Sequence, residues 1–233
     1  MLTMRSLGLW GLCLLTWCAL ELPLAWAGDR VLLKLSPQPV FFEDFEQGLS
    51  DRWEPTDPSA WELRKQGDNT VYALIKAKSN YEPPVRSPYN RNLVKDVEVT
   101  DFVLDLNLQS TSRDYGHRSL CLFFGYQDAS HFYYVHFGKV ADPHANQIFI
   151  VNDSPREKIS LTTTEGTNWD DEWHRARIVR NVTSGRIEVF FDDMKTPVMT
   201  AEDKTFLHGR VGIGSFDDPG NFDDIRLTGT LKK

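Results

Sequence analysis

The residues of this 233-residue chain that could do chemistry fall into two groups. One is acidic: Glu43 and Asp44 in "FEDFEQG" (42–48), and Asp223 and Asp224 in "NFDDIRL" (221–227). Carboxylates are hard oxygen donors of the kind calcium takes, with loop carbonyls completing its shell. The same four residues would also suit strand ends that face water. The other group is aromatic and polar, and it centres on "HFYYVHFGK" (131–139). A strand with one wet face should alternate apolar with polar residues. In this one Tyr133, Val135 and Phe137 point one way, while Phe132, Tyr134 and His136 point the other.

If Leu120, Leu122, Phe124, Tyr133, Val135 and Phe137 are core, the reverse faces are expected to share one sheet surface. That surface would carry Asp105, Asn107, Cys121, Phe123, Tyr134 and His136, with either Gln147 and Phe149 or Asn146 and Asn152, and with Arg175 and Arg177. Aromatic rings stack on the apolar face of a sugar while amides, carboxylates and guanidinium groups bond its hydroxyls, so this set suits a glycan groove. His144, Arg86 and Arg156 sit on loops at the strand ends, where they would rim it. The competing reading is a second apolar layer covered by a loop such as "ADPHAN" (141–146), with His136 hydrogen-bonded there. His117, His131, His174 and His208 have no spacing that indicates zinc.

The elements that must position these groups are short alternating runs punctuated by Gly, Asn, Asp and Pro, the pattern of a sandwich. In "DFVLDLNLQS" (101–110) Phe102, Leu104, Leu106 and Leu108 are expected inward, with Val103, Asp105, Asn107 and Gln109 outward. "SLCLFFGY" and "HFYYVHFG" form a hairpin about the turn "QDAS". In "WHRARIVRN" the pair Ala176 and Ile178 faces the core and Arg175 and Arg177 face away. In "RIEVFFDD" Ile187, Val189 and Phe191 point inward. The fold class expected is all-β, an antiparallel two-sheet sandwich.

Met1 to Ala27 hold Arg5, an apolar run and Ala25-Trp26-Ala27, a small-x-small cleavage pattern, so residues 1–27 read as a signal peptide and 28–233 as one domain. Glu21 and Pro23 interrupt the run, which argues against a membrane span. The chain is expected to be secreted or periplasmic. Cys13 and Cys18 would leave with the signal, and Cys121 alone can form no intramolecular disulfide. A net charge of −7 argues against general nucleic-acid or anionic-membrane binding.

"FFEDFEQG" (41–48), "VRSPYN" (85–90), "TDFVLDLNLQ" (100–109), "WHRARIVRN" (173–181) and "GRVGIGSFDDPGNFDDIRL" (209–227) together resemble the concanavalin A-like lectin/glucanase superfamily. Within it they look most like the laminin G-like and 3-keto-disaccharide hydrolase-like jelly rolls of secreted bacterial proteins. The resemblance implies two curved sheets with a ligand groove on the concave one. It also implies that the strands carrying Glu43-Asp44 and Asp223-Asp224 are neighbours, with a structural calcium between them.

Three functional classes follow. The first is a secreted protein that binds a polysaccharide or oligosaccharide. The second is a polysaccharide-cleaving enzyme using the same groove. Laminarinase-type enzymes of the superfamily carry a Glu-x-Asp-x-(x)-Glu strand motif, and no such string occurs here. A lyase would need a Tyr or His base and groups that neutralise a uronate, roles open to Tyr134, His136, Gln147 and Arg177. The alginate-lyase pattern Gln-(Ile/Val)-His is only half matched by "QIF", where Phe149 replaces the histidine. The third class is a structural or protein-binding laminin G-like sandwich.

Overall fold

The computed structural model describes residues 38–233. Their strands, in chain order, are β1 (Phe41–Glu43), β2 (Trp53–Pro55), β3 (Trp61–Gln66), β4 (Asn69–Leu74), β5 (Asn90–Val94), β6 (Val99–Ser110), β7 (Ser119–Asp128) and β8 (His131–Gly138). They continue as β9 (Gln147–Asn152), β10 (Glu157–Lys158), β11 (Ser160–Thr163), β12 (His174–Arg180), β13 (Arg186–Phe191), β14 (Met199–Glu202), β15 (Arg210–Ser215) and β16 (Gly220–Leu231). The expected signal peptide lies outside the described residues. Among those described, no helix is long and apolar enough to cross a membrane.

Two antiparallel sheets result. The nine-stranded sheet runs β11-β14-β13-β12-β6-β16-β4-β3, with β1 also paired to β16; the seven-stranded sheet runs β10-β9-β8-β7-β15-β5-β2. Phe41 lies opposite Leu227 and Glu43 opposite Ile225, so the early and late acidic segments are indeed on neighbouring strands. The core between the sheets takes Phe102, Leu104, Leu106 and Leu108 from β6 and Leu120, Leu122 and Phe124 from β7. Tyr133, Val135 and Phe137 enter it from β8, and Ala176 and Ile178 from β12. The alternation therefore assigned the inward faces without a register slip, because a one-residue shift would have exchanged every one of these side chains.

The two outer faces differ in kind. On β6 and β12 burial alternates with partial or full exposure, as a wet face requires. On β7, β8 and β9 almost every residue is buried on both faces. A second apolar layer, formed by Leu93, Cys121, Phe123, Tyr126, Phe132, Tyr134, Phe149 and Val151 with Val85 against it, lies outside the seven-stranded sheet. Burial of each large ring is worth roughly 2 kcal/mol, which explains why the chain spends aromatics there.

The segment 75–89 between β4 and β5 lies over part of this layer, and its own sequence fastens it. Asp57 accepts from the Asn80 N–H at 2.9 Å and from Lys76 Nζ at 3.2 Å. Ser79 donates to the Tyr89 carbonyl, and Asn90 to the Ala77 carbonyl. Arg91, fully buried, gives Nη2 to the Tyr81 hydroxyl at 2.7 Å and lies over the rings of Tyr81, Tyr126 and Phe132 at 4.9, 5.5 and 5.0 Å. The aromatic faces supply the electrostatic partner that a buried guanidinium needs.

Candidate functional site

At one end of the seven-stranded sheet, side chains from six places in the chain line an open pocket of about 230 Å³. Arg86 comes from the 75–89 segment, His117 from the β6–β7 connection and His136 from the end of β8. His144 comes from the β8–β9 loop, Arg156 from the loop before β10, and Phe216 and Asp217 from the β15–β16 turn. Phe216 is the platform. His136 stacks on it in parallel, with ring centroids 6.2 Å apart and an interplanar angle of 6°. The Arg156 guanidinium lies 4.3 Å and that of Arg86 5.6 Å from the Phe216 centroid, and Arg156 also reaches over Phe149 at 5.4 Å. A backbone hydrogen bond from the Arg156 N–H to the Arg86 carbonyl, 3.1 Å, ties the two arginine segments together.

His136 is 6% exposed, and among the described residues neither ring nitrogen makes a well-formed hydrogen bond, although the His144 backbone approaches closely enough to bias its charge. Burial, and then the positive charge of Arg156, lower its pKa to about 3, so the ring is neutral at pH 7. Arg156 Nη1 is buried and without a partner as well. Asp217 is pushed the other way: desolvation first, and then the adjacent Asp218, raise its carboxyl above the usual range. Asp218 itself is buried and tied down, accepting from Ser112 Oγ, the Tyr115 hydroxyl, and the Ser119 N–H and Oγ. The pocket thus presents fixed cations, a neutral imidazole and one carboxylate, a set able to bond an oxygen-rich ligand.

The expected single groove is corrected by the sheet topology. Asp105, Asn107 and Arg177 lie on the outer face of the nine-stranded sheet, whereas Phe123, Tyr134, His136 and Gln147 belong to the seven-stranded one. Alternation says which residues point outward but not which of the two sheets carries them, and the 111–118 connection takes the chain from one sheet to the other. Phe123 and Tyr134 show no exposed surface and belong to the covered layer, so they offer no stacking platform. Gln147 donates to the Asp142 carbonyl at 3.0 Å beneath the 139–146 loop. Of the seven, His136 alone lines the pocket. The lyase arrangement of Tyr134, His136, Gln147 and Arg177 is not assembled either, and a group with a pKa near 3 is a weak base at neutral pH.

Tyr134 yields a first prediction. Its hydroxyl is buried with no partner, and burial pushes its pKa well up. Removing an unsatisfied buried hydroxyl is neutral or stabilising. Tyr134→Phe is therefore expected to leave ligand affinity unchanged and to hold or raise stability by up to about 1 kcal/mol, read from urea melts. A tenfold loss of affinity would return Tyr134 to the site.

On the nine-stranded sheet, Asp105 is gripped by Arg175 Nη2 at 2.9 Å and by Arg177 Nε and Nη2 at 2.9 and 3.0 Å, while Asn107 donates to Asp224 at 2.8 Å. A shallow depression of about 280 Å³ there is lined by Phe42, Asp105, Asn107, Arg175, Asp224 and Arg226. Its charges are engaged with one another, as on a solvated sheet face. Of the expected calcium ligands, Glu43 accepts from Ser50 Oγ and Asp44 from the Glu46 N–H. Asp223 turns toward Asn69 on β4, and Asp224 toward Asn107 on β6, at a register shift in β16. Successive carboxylates thus swing to different neighbours, and among the described residues no group of three or more His, Cys, Asp or Glu side chains stands together as a candidate metal site.

The rim residues Arg86, Arg156 and His144 were recognisable as polar loop residues at strand ends, and they do meet His136. Phe216, Asp217 and His117 were not anticipated. The "SFDDPGN" turn announced a reversal of the chain but not what it would meet.

No family model matches the chain, and no curated protein is detectably similar in sequence. Solved structures are similar in fold. The carbohydrate-binding module CBM66 from Bacillus subtilis superposes with a TM-score of 0.54 at 14% identity, covering 76% of this chain and 96% of the module. Domain 4 of AbnA, a GH43 extracellular arabinanase from Geobacillus stearothermophilus solved with arabinotriose, gives 0.55 at 8% identity over 85% and 96%. The lectin I-B4 of Griffonia simplicifolia, in its metal-free form, gives 0.51 at 13% identity over 79% and 96%. The chain thus shares with these structures the architecture of a two-sheet antiparallel β-sandwich.

Proposed function

We propose that this chain is an exported carbohydrate-binding protein whose sugar site is the pocket formed by Arg86, His117, His136, His144, Arg156 and Asp217. The observation that carries the reading is the convergence of buried polar atoms without partners, on His136 and Arg156, at an open pocket. Hydrogen-bonding groups held this way match hydroxyl-rich ligands, and carbohydrate-binding domains of the same architecture support the choice.

Cleavage in the same pocket is the second class considered. A paired-carboxylate glycosidase needs two acids across the bond, and among the described residues Asp217 is the one carboxylate lining this pocket. Binding without turnover is therefore the reading preferred.

A glycan-array screen of the chain, with calcium and with chelator, tests it. Binding to one polysaccharide class, with no product released, is expected. His144→Ala and Asp217→Ala should weaken binding about tenfold each, while Asn107→Ala on the opposite sheet should not. Loss confined to Asn107→Ala would move the site to the nine-stranded sheet, and silence across the array would favour a structural or protein-binding sandwich. The chelator arm shows whether the expected calcium takes part.

A further inference from the structure

We infer that the ligand presents an anionic group, a carboxylate or a sulfate ester, to the Arg86–Arg156 pair above Phe216. The inference deepens the sugar-binding reading and rests on it.

Both guanidinium groups lie within 6 Å of one ring centre, yet among the described residues neither forms an ion pair. Several other arginines are matched by carboxylates, Arg118 by Asp171, Arg175 and Arg177 by Asp105, and Arg210 by Glu54, while Arg91 and Arg180 too form no ion pair among the described residues. Asp217 lines the same pocket; it makes no ion pair with either arginine, although both favour its charged form from a longer range. Arg156 Nη1 is buried without an acceptor, which is unfavourable for a donor on a charged group. An anionic oxygen placed there would relieve both deficits, since guanidinium binds carboxylate and sulfate oxygens through paired N–H donors. His136 beside it is neutral at pH 7 and brings one donor and one acceptor, which suits a hydroxyl next to the acidic group.

The molecule as a whole carries −7, so a dense polyanion is repelled at long range while the pocket attracts a single acid group locally. This favours isolated acidic residues on an otherwise neutral glycan.

The test is a matched array on which uronic-acid glycans sit beside their carboxyl-reduced forms, and sulfated glycans beside their desulfated forms. The acidic members of one arm are expected to bind at least tenfold better than their neutral twins, and whether that arm is the uronate or the sulfate one identifies the source of the charge. Arg156→Gln and Arg86→Gln should each erase that difference; Arg86 is exposed, so its replacement does not disturb folding. Equal binding of the twins, or preference retained in both variants, would overturn the anionic inference and leave sugar binding standing. Absence of binding to any member would overturn the carbohydrate reading itself.

Discussion

Acidification from pH 7 to pH 4 is expected to remove roughly 3 kcal/mol of folding stability through His136 alone. The folded chain holds this imidazole neutral with a pKa of about 3, through burial first and Arg156 second, whereas an unfolded histidine titrates near 6.5. Between those values the unfolded chain takes up a proton that the folded chain refuses, so stability falls as pH falls, and the loss is complete near pH 3. The lowered carboxylates of Asp57, Glu98 and Asp128 act in the same direction lower in the range, whereas the raised Asp217 and Asp223 act against it. His131, raised chiefly by its hydrogen bond to Asp128, contributes stability that is present in acid and lost as pH rises through its folded value. His136→Leu isolates the contribution: urea melts at pH 7 and pH 4 should differ less in the variant by roughly 3 kcal/mol. An identical pH slope in both proteins would show that His136 is solvated.

The second large effect concerns Asp218. One buried carboxylate gathers Ser112 and Tyr115 of the β6–β7 connection and both the N–H and Oγ of Ser119 at the start of β7, at 2.7 to 3.1 Å. Asp218→Ala leaves four donors to find other partners, and is expected to destabilise by about 3 kcal/mol or more. Asp218→Asn should cost less, because the amide oxygen still accepts. Asp217→Ala next to it removes an exposed side chain and should change stability by less than about 0.5 kcal/mol while weakening the ligand. Comparing urea midpoints and affinities across the three variants separates the pocket's scaffold from its binding surface. Equal stability of Asp218→Ala and the parent would remove Asp218 from that scaffold.

The inward faces of β6, β7, β8, β12 and β13 could be read from alternation because burial on a pleated strand has a period of two residues. What alternation lacks is any label for the sheet, so Asp105 and Tyr134 were placed on one surface although they lie on opposite sides of the molecule. The opening puzzle of "HFYYVHFGK" resolves the same way. Phe132 and Tyr134 face outward from their sheet yet are dry, since Val85 packs against their layer and Arg91 lies over Phe132. Pro and Asn marked 75–89 as a loop without saying what it would cover. His136 escapes that fate because it sits at the strand end, where the apolar layer gives way to the loops carrying Arg86, His144 and Arg156.

β16, synthesised after every other strand, lies in the middle of the nine-stranded sheet, paired with β6 along most of its length, with β4 at its beginning and with β1 further on. Until Gly220–Leu231 emerges, β6 and β4 have no common neighbour, β1 has no partner in the sheet, and the larger sheet remains in three separate pieces. Assembly of the larger sheet therefore waits for the last of the described strands. A ribosome that stalls before Gly220 releases a polypeptide with unpaired strand edges, the form most exposed to aggregation and proteases.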